Sequence, residues 1–499
     1  MSATARKYVF IPTGRQVWLA LAAKLKAELH AVPVGWLGDS RLDNEAKRLF
    51  PGIDILDFSR VNYSPAEVEK IQVSDLRFIL DNPRYLQTKA NALKMMDRQD
   101  PYGAYRLVDR EAHFHQHCLL SIHYLMKWTP DFVLMAESPH APMQYVLFEV
   151  AKFFEVPTFS FVSWGIAPII HIRNGISGAP IKKHIEEPHR AIEELLSSYT
   201  GQFNNKAVGV EPKYMKIQKR FDSEYQSPKL ITRSIFNLIK KPRPKWPHNE
   251  KGLLPETHFF RSEKLLRHVL TNRIRRSILK ELAIKSERVP DGDFVYFPLH
   301  YEPERTTTPD GIEFTDQIKA LAALRALVPL DLPILVKEHY SQTSRALSGY
   351  KGRSKDFYSV ATSMRNVQIV DQSTRSDELI AAAVLTATIN GTAALEAACL
   401  GKSALVFGNA WYRGTPNIFH FDDIASFDCI TKYKPASLID IERHLQDTAR
   451  KNCVLGCINP SNELLYQDIY QSINYTIERE ISELLKLVTA AIDTVSTPC

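Results

Sequence analysis

The sequence predicts an α/β protein with two doubly wound, Rossmann-like domains facing a cleft. Two stretches of the chain alternate strand-like and helix-like apolar patterns, and repeated βα units are typical of a parallel sheet. A basic, proline-punctuated stretch separates them. The composition, 44% apolar and 24% charged over 499 residues, is ordinary for a globular enzyme. It excludes collagen, a coiled coil and wholesale disorder.

The first domain is predicted over residues 1–175. Short apolar runs predict strands, and apolar residues three or four positions apart predict helices. The predicted elements are a strand at 8–12, a helix at 16–29, a strand at 31–37, a strand at 131–136, a helix at 143–154 and a strand at 156–161. Their order is that of βα units, which indicates a parallel sheet.

Residues 176–285 are predicted to form a basic, partly helical insert. Between positions 213 and 280 there are 18 Lys and Arg against 5 Asp and Glu, so this segment carries +13 and the rest of the chain −6. Lys240, Lys241, Arg243 and Lys245 are its densest patch. We expect this patch to dock on an anionic inner-membrane surface or to hold an anionic acceptor, although a solvated charged surface is the alternative. Nucleic acid is not expected, because no binding module surrounds these residues.

The βα pattern resumes in a second domain, predicted over residues 286–430. The strands are predicted at 294–299, 333–337, 367–370, 384–389 and 403–407, and the helices at 311–327, 376–383 and 392–400. Residues 431–499 are predicted to be a helical tail whose last long helix, 463–495, packs back on the first domain.

An Asn-Gly-Thr turn after the 384–389 strand is the richest site candidate. A helix opens directly after it, and a helix N-terminus offers unpaired N–H groups to a phosphate. We expect Asn390 and Gly391 to let a phosphate approach the backbone, Thr392 to add a hydroxyl, and Glu396 to accept hydrogen bonds from ribose hydroxyls. The alternative is a capped turn with a surface glutamate.

Lys337 and His339 follow the 333–337 strand and would reach the same sheet edge. We expect His339 to donate a hydrogen bond to a leaving phosphate and Lys337 to supply countercharge. A structural histidine at a strand end is the alternative.

Two further loops at strand ends carry carboxylates and histidines. The loop 297–307 presents His300, Glu302 and Glu304 between prolines that restrict it. In the first domain, Glu137 and His140 follow the 131–136 strand, where Glu137 could be a catalytic carboxylate and His140 could serve the acceptor side. Each loop could instead be a capped structural turn.

Several classes of function find no support in the sequence. Asp291 and Asp293 have the Asp-x-Asp spacing of a metal site, but they precede a strand and so lie at the opposite sheet edge; no metal is expected. The chain lacks the P-loop, dinucleotide-binding and zinc-protease motifs. Six scattered cysteines are expected to be reduced thiols, and no signal peptide or membrane span is expected. The predicted location is the cytoplasm, peripheral to the inner membrane if the basic patch docks there.

The second domain resembles the capsule polysaccharide biosynthesis family of GT-B glycosyltransferases, which includes the bacterial β-Kdo transferases of capsule assembly. The resemblance covers roughly 290–420, and more weakly the region around His140. The matching residues are Tyr296 to Glu304, Val336 to His339, Gly352 to Ser354 with Phe357 and Tyr358, Asn390 to Ala397, Gly401 with Lys402, and Phe407 with Gly408.

This resemblance implies a GT-B fold and a nucleotide-sugar donor, CMP-activated and Kdo-like, bound by the second domain. Arg353 and Ser354 would then join the donor-binding residues. The resemblance also implies a glycan or glycolipid acceptor on the first domain and a metal-free transfer without a cofactor. A retaining reaction would need a carboxylate nucleophile, for which Glu137 is the first candidate and Glu302 the second. In the family a proline follows the site histidine, whereas this chain has Tyr340 after His339.

Two other functions stay open at this point. A non-hydrolysing nucleotide-sugar epimerase has the same two-domain fold and a similar Gly-Thr and Glu-Ala pattern. A non-catalytic component of an export complex could bind glycan or membrane through the same surfaces. The oligomeric state is not predicted.

Overall fold

The computed structural model describes residues 5–38, 40–56, 69–100, 106–186, 189–204, 213–225, 261–345 and 347–496. These residues form two compact units. The first contains the described parts of Met1–Gly201 and Ile439–Cys499, and the second contains those of Gln202–Lys251 and Glu256–Leu438. Each unit is built on its own largely parallel sheet with helices, which confirms the predicted α/β fold class with two doubly wound units.

The first unit contains a sheet of seven strands within the described residues. Its order is β14-β6-β5-β4-β1-β2-β3, and its pairs are parallel except β5 with β6 and β6 with β14. The strands are β1 (Arg6–Ile11), β2 (Ala31–Trp36), β3 (Asp54–Ile55), β4 (Phe132–Met135), β5 (Thr158–Ser163), β6 (Ile169–Asn174) and β14 (Cys453–Leu455).

The second unit contains another sheet, again of seven strands in the part of the chain that is described. Its order is β13-β12-β11-β8-β9-β10-β7, and every pair is parallel. The strands are β7 (Ser286–Glu287), β8 (Val295–Pro298), β9 (Ile334–Lys337), β10 (Val367–Val370), β11 (Leu385–Thr388), β12 (Ser403–Val406) and β13 (Ile418–His420).

Helices accompany both sheets. In the first unit they are Gln16–Leu29, Ser40–Leu49, Arg77–Asp81, Tyr85–Gln99, Leu107–Trp128, Pro142–Phe153, Arg190–Gly201, Leu438–Asn452, Pro460–Leu465, Gln467–Ser472 and Ile477–Ser496. In the second unit they are Lys213–Tyr225, Arg261–Lys285, Gln317–Leu327, Tyr340–Thr343, Lys355–Ser363, Ser376–Ala382, Ala393–Cys399 and Asp428–Thr431, with short 3-10 turns at Ile312–Phe314, Gly349–Lys351 and Phe421–Asp423.

The central strands are apolar because both of their faces are covered. Every residue of β4 and of β11 is buried, as expected for parallel strands with packing on both faces. Helix Gln16–Leu29 buries its apolar side in the same core as helix Ile477–Ser496. The tail of the chain therefore completes the core of the first unit.

Several elements differ from the sequence prediction. The predicted helix 311–327 is a 3-10 turn followed by helix Gln317–Leu327, whose Ile318 N–H is capped by Asp316. The predicted helix 463–495 is three helices, and Asn474, at φ 49°, lies in the break before the last one. The tail also contributes strand β14, which was not predicted.

Each sheet has one point where the chain reverses its direction of strand addition. In the first sheet this point lies between β1 and β4, and in the second between β8 and β11. Loops at the carboxyl ends of such strand pairs diverge and leave a crevice where open α/β sheets bind ligands. The loop after β8 and the Asn-Gly turn after β11 flank this point in the second unit.

Candidate functional site

His300 lies at the switch point of the second sheet and bridges its two central loops. Its Nε2 is 3.0 Å from Thr388 Oγ1 and accepts a hydrogen bond of 3.5 Å from the N–H of Asn390. Burial lowers the pKa of His300 to about 4, so the imidazole is neutral near neutral pH. The loops after β8 and β11 are thereby tied together through an uncharged ring.

The backbone of the turn after β11 lies very close to the side chains of His300 and Thr388. A Cβ on Gly391 would lie 3.0 Å from Thr388 Oγ1 and 3.1 Å from His300 Cε1, so no side chain fits there without displacing the ring. Asn390 donates from Nδ2 to the carbonyl of Thr306 at 2.5 Å, while its buried Oδ1 has no hydrogen-bond partner among the described residues. A side chain at position 391 would therefore force His300 or Thr388 to shift by a few tenths of an ångström.

His339 follows β9 and presents a hydrogen-bond donor. Its Nδ1 accepts the N–H of Ser341 at 3.2 Å and caps the short helix Tyr340–Thr343. Burial, and then the positive charges around it, lower its pKa to about 4. The neutral ring accepts at Nδ1, so its proton is on Nε2, which has no hydrogen-bond partner in the described part of the chain.

Lys337 ends β9 and donates from Nζ to Ser376 Oγ at 2.7 Å. Burial, reinforced by the positive charge of Lys219, lowers its pKa to about 8, while Asp377 and Asp371 act in the opposite direction. The ammonium group therefore stays mostly protonated at neutral pH. It forms no ion pair with any described residue, so it can offer its charge to an anion.

Below these groups lies a buried ionic cluster. Arg353 donates to Glu338 Oε2 at 2.8 Å and to Glu302 Oε2 at 2.9 Å, and these three side chains are 7% exposed or less. Tyr358 donates to Glu338 Oε2 at 2.7 Å, and the N–H of His339 donates to Glu338 Oε1 at 2.8 Å. The cluster holds the loops after β8 and β9 together.

This cluster contains two of the residues that the sequence assigned to the site. Glu302 was expected as the second candidate for the catalytic carboxylate and Arg353 as a donor-binding residue. Arg353 donates to both Glu302 and Glu338, and it also donates to the carbonyl of His300 at 2.9 Å. These buried contacts fix the loops, and the predicted roles of Glu302 and Arg353 stay predictions.

Two glutamines that the sequence did not single out fix the backbone of the same loop. Gln317 accepts the N–H of His300 at 2.8 Å and donates to its carbonyl at 3.1 Å. Gln342 does the same for Glu302, at 2.8 and 2.9 Å. Each side-chain amide thus pairs with both the N–H and the C=O of one residue, as the backbone of a neighbouring strand would. No sequence signal distinguishes such a glutamine from one on a helix surface.

The remaining donor-site candidates lie nearby with less distinctive contacts. Thr392 Oγ1 donates to Glu396 Oε1 at 3.0 Å, and burial raises the pKa of Glu396. Glu304 is half-buried in the loop after β8. Ser354 caps a helix, because its hydroxyl accepts the N–H of Phe357 at 3.3 Å, and its assignment to the donor stays a prediction.

In the first unit, Glu137 and His140 lie after β4 as predicted from the order of elements. His140 Nε2 is 3.5 Å from Glu137 Oε1, and Asn459 Nδ2 donates to Glu137 Oε2 at 3.3 Å. The catalytic role of Glu137 stays a prediction. Lys240, Lys241, Arg243 and Lys245 lie outside the described residues.

The described residues contain no group of three or more His, Cys, Asp or Glu side chains placed to hold a metal ion. None of the helices in the described ranges combines the length and apolar character that a membrane span requires. Asp291 and Asp293 are exposed and precede β8, at the sheet edge opposite His300.

No family model and no curated protein matches the chain. Among solved structures, it is similar to the β-Kdo 2,7 transferase KpsC of Thermosulfurimonas dismutans, with 11% identity, 69% of this chain and 88% of that chain covered, and a TM-score of 0.26. A glycosyltransferase from Rickettsia africae has 11% identity, coverage of 98% and 94%, and a TM-score of 0.20. The UDP-GlcNAc 2-epimerase of Neisseria meningitidis, solved with UDP-GlcNAc, has 11% identity, coverage of 98% and 100%, and a TM-score of 0.20.

Proposed function

We propose that this chain is a glycosyltransferase that takes a sugar from a nucleotide-sugar donor whose phosphate binds at the carboxyl edge of the second sheet. The observation that carries the proposal is the convergence of two neutral histidines, a lysine and a glycine turn at that sheet's switch point. His300 and Gly391 belong to loops on either side of the point, and His339 and Lys337 end the neighbouring strand.

The chemistry of these groups suits a departing phosphate. When the bond between the sugar and the phosphate breaks, negative charge develops on the leaving oxygen. A preorganised N–H donor and a nearby cation stabilise that charge more than they stabilise the uncleaved donor. His339 Nε2–H and the Lys337 ammonium would fill these roles, and the buried cluster around Arg353 would keep them in place.

The finer assignment, which is the identity of the donor and of the acceptor, rests on the motif resemblance. We infer a CMP-activated, Kdo-like donor, transfer without a metal, and a glycan or glycolipid acceptor in the synthesis of a bacterial surface polysaccharide. Glu137 and His140 would act on the acceptor side. Docking of the basic segment on an anionic inner membrane would bring the enzyme to a lipid-linked acceptor.

Nucleotide binding is the first test. Thermal melting of the full chain with CMP, UDP and GDP should show a higher melting temperature with at least one nucleotide, because a ligand that binds only the folded state stabilises it. A response to CMP alone would support the finer assignment. No response to any nucleotide would contradict the proposal.

A His339→Asn variant then tests the leaving-group role. Asparagine is a strong helix N-cap, so it can still accept the Ser341 N–H, but it lacks the Nε2–H donor. Transfer should fall by about 10²–10³ in kcat, as for the loss of one oxyanion donor. His444→Asn, in the first unit, is the matched control.

Unchanged turnover in the His339→Asn variant would remove His339 from the mechanism. Conversion of the donor sugar in the absence of any acceptor would instead identify an epimerase.

A further inference from the structure

Helix Lys213–Tyr225 belongs to the segment predicted as a basic, partly helical insert, and it is held against the loop that follows β9. Asp222 accepts hydrogen bonds from the hydroxyl of Tyr340 at 3.0 Å and from the N–H of Arg345 at 2.8 Å. Gln218 Oε1 accepts from the hydroxyl of Ser341 at 2.7 Å. Three hydrogen bonds therefore fix this helix beside the residues that follow His339.

One lysine of this helix faces the same loop. Lys219 Nζ lies 5.4 Å from the centroid of the Tyr340 ring, a cation–π distance. Tyr340 is three residues after Lys337, and the charge of Lys219 is close enough to lower the pKa of Lys337. Lys219 of this helix is therefore a second positively charged side chain near the end of β9, in addition to Lys337.

Two like charges brought together by the fold repel each other. Lys337 has only the Ser376 hydroxyl as a hydrogen-bond partner and no ion pair with a described carboxylate; Asp371 and Asp377 attract it only from a distance. An anionic group bound beside both lysines would be attracted by each ammonium group. Its negative charge would also offset the repulsion between the two lysines. Such a pair favours ligands that carry more than one negative group.

We propose that Lys219 adds a second cation beside Lys337, so that the two lysines form a subsite for a second anionic group of the ligand. Lys337 would then serve both this group and the neighbouring departing phosphate. The inference rests on the proposed function for the first phosphate. The second group is a further phosphate, as in a nucleoside diphosphate, or the carboxylate of an acidic sugar joined to a nucleoside monophosphate.

Calorimetry on the full chain with matched ligands tests this subsite and separates the two sources. CDP against CMP and UDP against UMP measure the gain from a second phosphate, and CMP-N-acetylneuraminic acid against CMP measures the gain from a carboxylate. At least one arm should gain about tenfold or more in affinity, the size expected for a hydrogen bond to a charged group. Lys219→Gln should abolish most of that gain and leave CMP or UMP affinity nearly unchanged.

Lys216→Gln is the matched control, because Lys216 is an exposed lysine of the same helix. It should behave as the unmodified protein does. Inorganic pyrophosphate is a further probe that does not depend on a nucleotide, and its binding should also weaken in Lys219→Gln.

The outcomes distinguish this inference from the proposed function. Nucleotide binding with no gain in any arm, or with a gain that survives Lys219→Gln, overturns the subsite and leaves the proposed function standing. Pyrophosphate binding that depends on Lys219, with no nucleotide binding at all, supports the subsite and overturns the proposed function.

Discussion

Both sheets have a buried arginine between two carboxylates at their carboxyl edge. In the first unit, Arg15 follows β1 and donates to Glu480 at 2.7 Å and to Glu463 at 2.8 Å. In the second unit, Arg353 makes the equivalent pairs with Glu338 and Glu302 at 2.8 and 2.9 Å. The same ionic arrangement therefore recurs in the two halves of the molecule.

The origin of the carboxylates distinguishes the two clusters. The partners of Arg15 lie 448 and 465 positions away, in the tail that returns to the first unit. The partners of Arg353 lie 15 and 51 positions away, in the loops after β9 and β8. One cluster attaches the tail to the sheet, and the other shapes the loops of a candidate site. A buried ion pair alone does not reveal which role it has.

The largest expected effect comes from removing either arginine. Arg15→Met leaves Glu480 buried without a countercharge, which should lower the free energy of unfolding by about 3–5 kcal/mol. Hydrogen exchange should place the loss in the first unit, with nucleotide affinity unchanged. Arg353→Met should destabilise the second unit and also weaken nucleotide binding, because the loops after β8 and β9 lose their shared anchor.

Arg190→Met is the control for both arginine variants, because Arg190 forms an exposed pair with Glu194. Its effect should stay within about 0.5 kcal/mol. Weaker nucleotide binding in Arg15→Met, or unchanged binding in a folded Arg353→Met, would contradict the contrast between the two clusters.

A smaller effect is expected when a methyl group is added to a glycine at each sheet edge. Gly391→Ala would press a Cβ against His300 and Thr388, so we expect nucleotide affinity to fall by roughly tenfold. Gly165, after β5, has open space around its Cβ position. Gly165→Ala should bind nucleotide as the unmodified protein does, measured by calorimetry. Equal effects of the two variants would show that the turn after β11 has no special role.

Phosphate affinity at the carboxyl edge of the second sheet should depend on pH through Lys337. Burial and then the charge of Lys219 lower the pKa of Lys337 to about 8 from its ordinary 10.5, while Asp377 and Asp371 act in the opposite direction. The nearby His339 is neutral in this range. Phosphate affinity should therefore fall as the pH rises through about 8. The ligand-free second unit should gain stability over the same range, because its folded state disfavours the charged lysine.

Lys219→Gln should shift this fall in affinity to higher pH, since a repulsive charge is removed. Titration calorimetry between pH 6 and 10 measures it, and an unshifted curve would show that Lys219 does not act on Lys337.

The smallest effect is expected for the outer carboxylate of the first cluster. The side chain of Glu463 is 44% exposed, so solvent screens its pair with Arg15. Glu463→Gln should cost less than about 1 kcal/mol of stability in urea unfolding. A loss as large as that in Arg15→Met would show that the cluster depends on Glu463 and not on the buried Glu480.

Much of the fold was predictable because buried parallel strands leave an unmistakable apolar pattern. The predicted helix 16–29 matches Gln16–Leu29, and the predicted strands at 367–370 and 403–407 match within one residue. Two of the differences between the predicted and observed elements lie in the tail and depend on features that an apolar pattern does not show. The break near Asn474 depends on a left-handed residue, and β14 is only three residues long, so neither stands out from the surrounding helical pattern.

The site was predictable only to the level of which strand ends carry polar residues. His300, His339 and Asn390 could be located that way. The burial of Glu302 and Arg353 in one ion-pair cluster could not be predicted, because a charge that faces a ligand and one buried in an ion pair have the same sequence signal. Gln317, Gln342 and Lys219 depend on contacts between residues distant in sequence.

The antiparallel strand β14 has a consequence for the order in which the protein forms during synthesis. The second unit is complete once the chain reaches residue 438, whereas β6, which lies within the first 201 residues, acquires its outer neighbour only when residues 453–455 emerge from the ribosome. Until then the backbone of Ile169 to His171, the part of β6 that pairs with β14, lacks its strand partner, whereas Ile172 and Arg173 already pair with residues 180–181. Such an open edge invites pairing with other chains. The sheet of the first unit therefore stays incomplete at this edge until the second unit and the start of the tail have been synthesised.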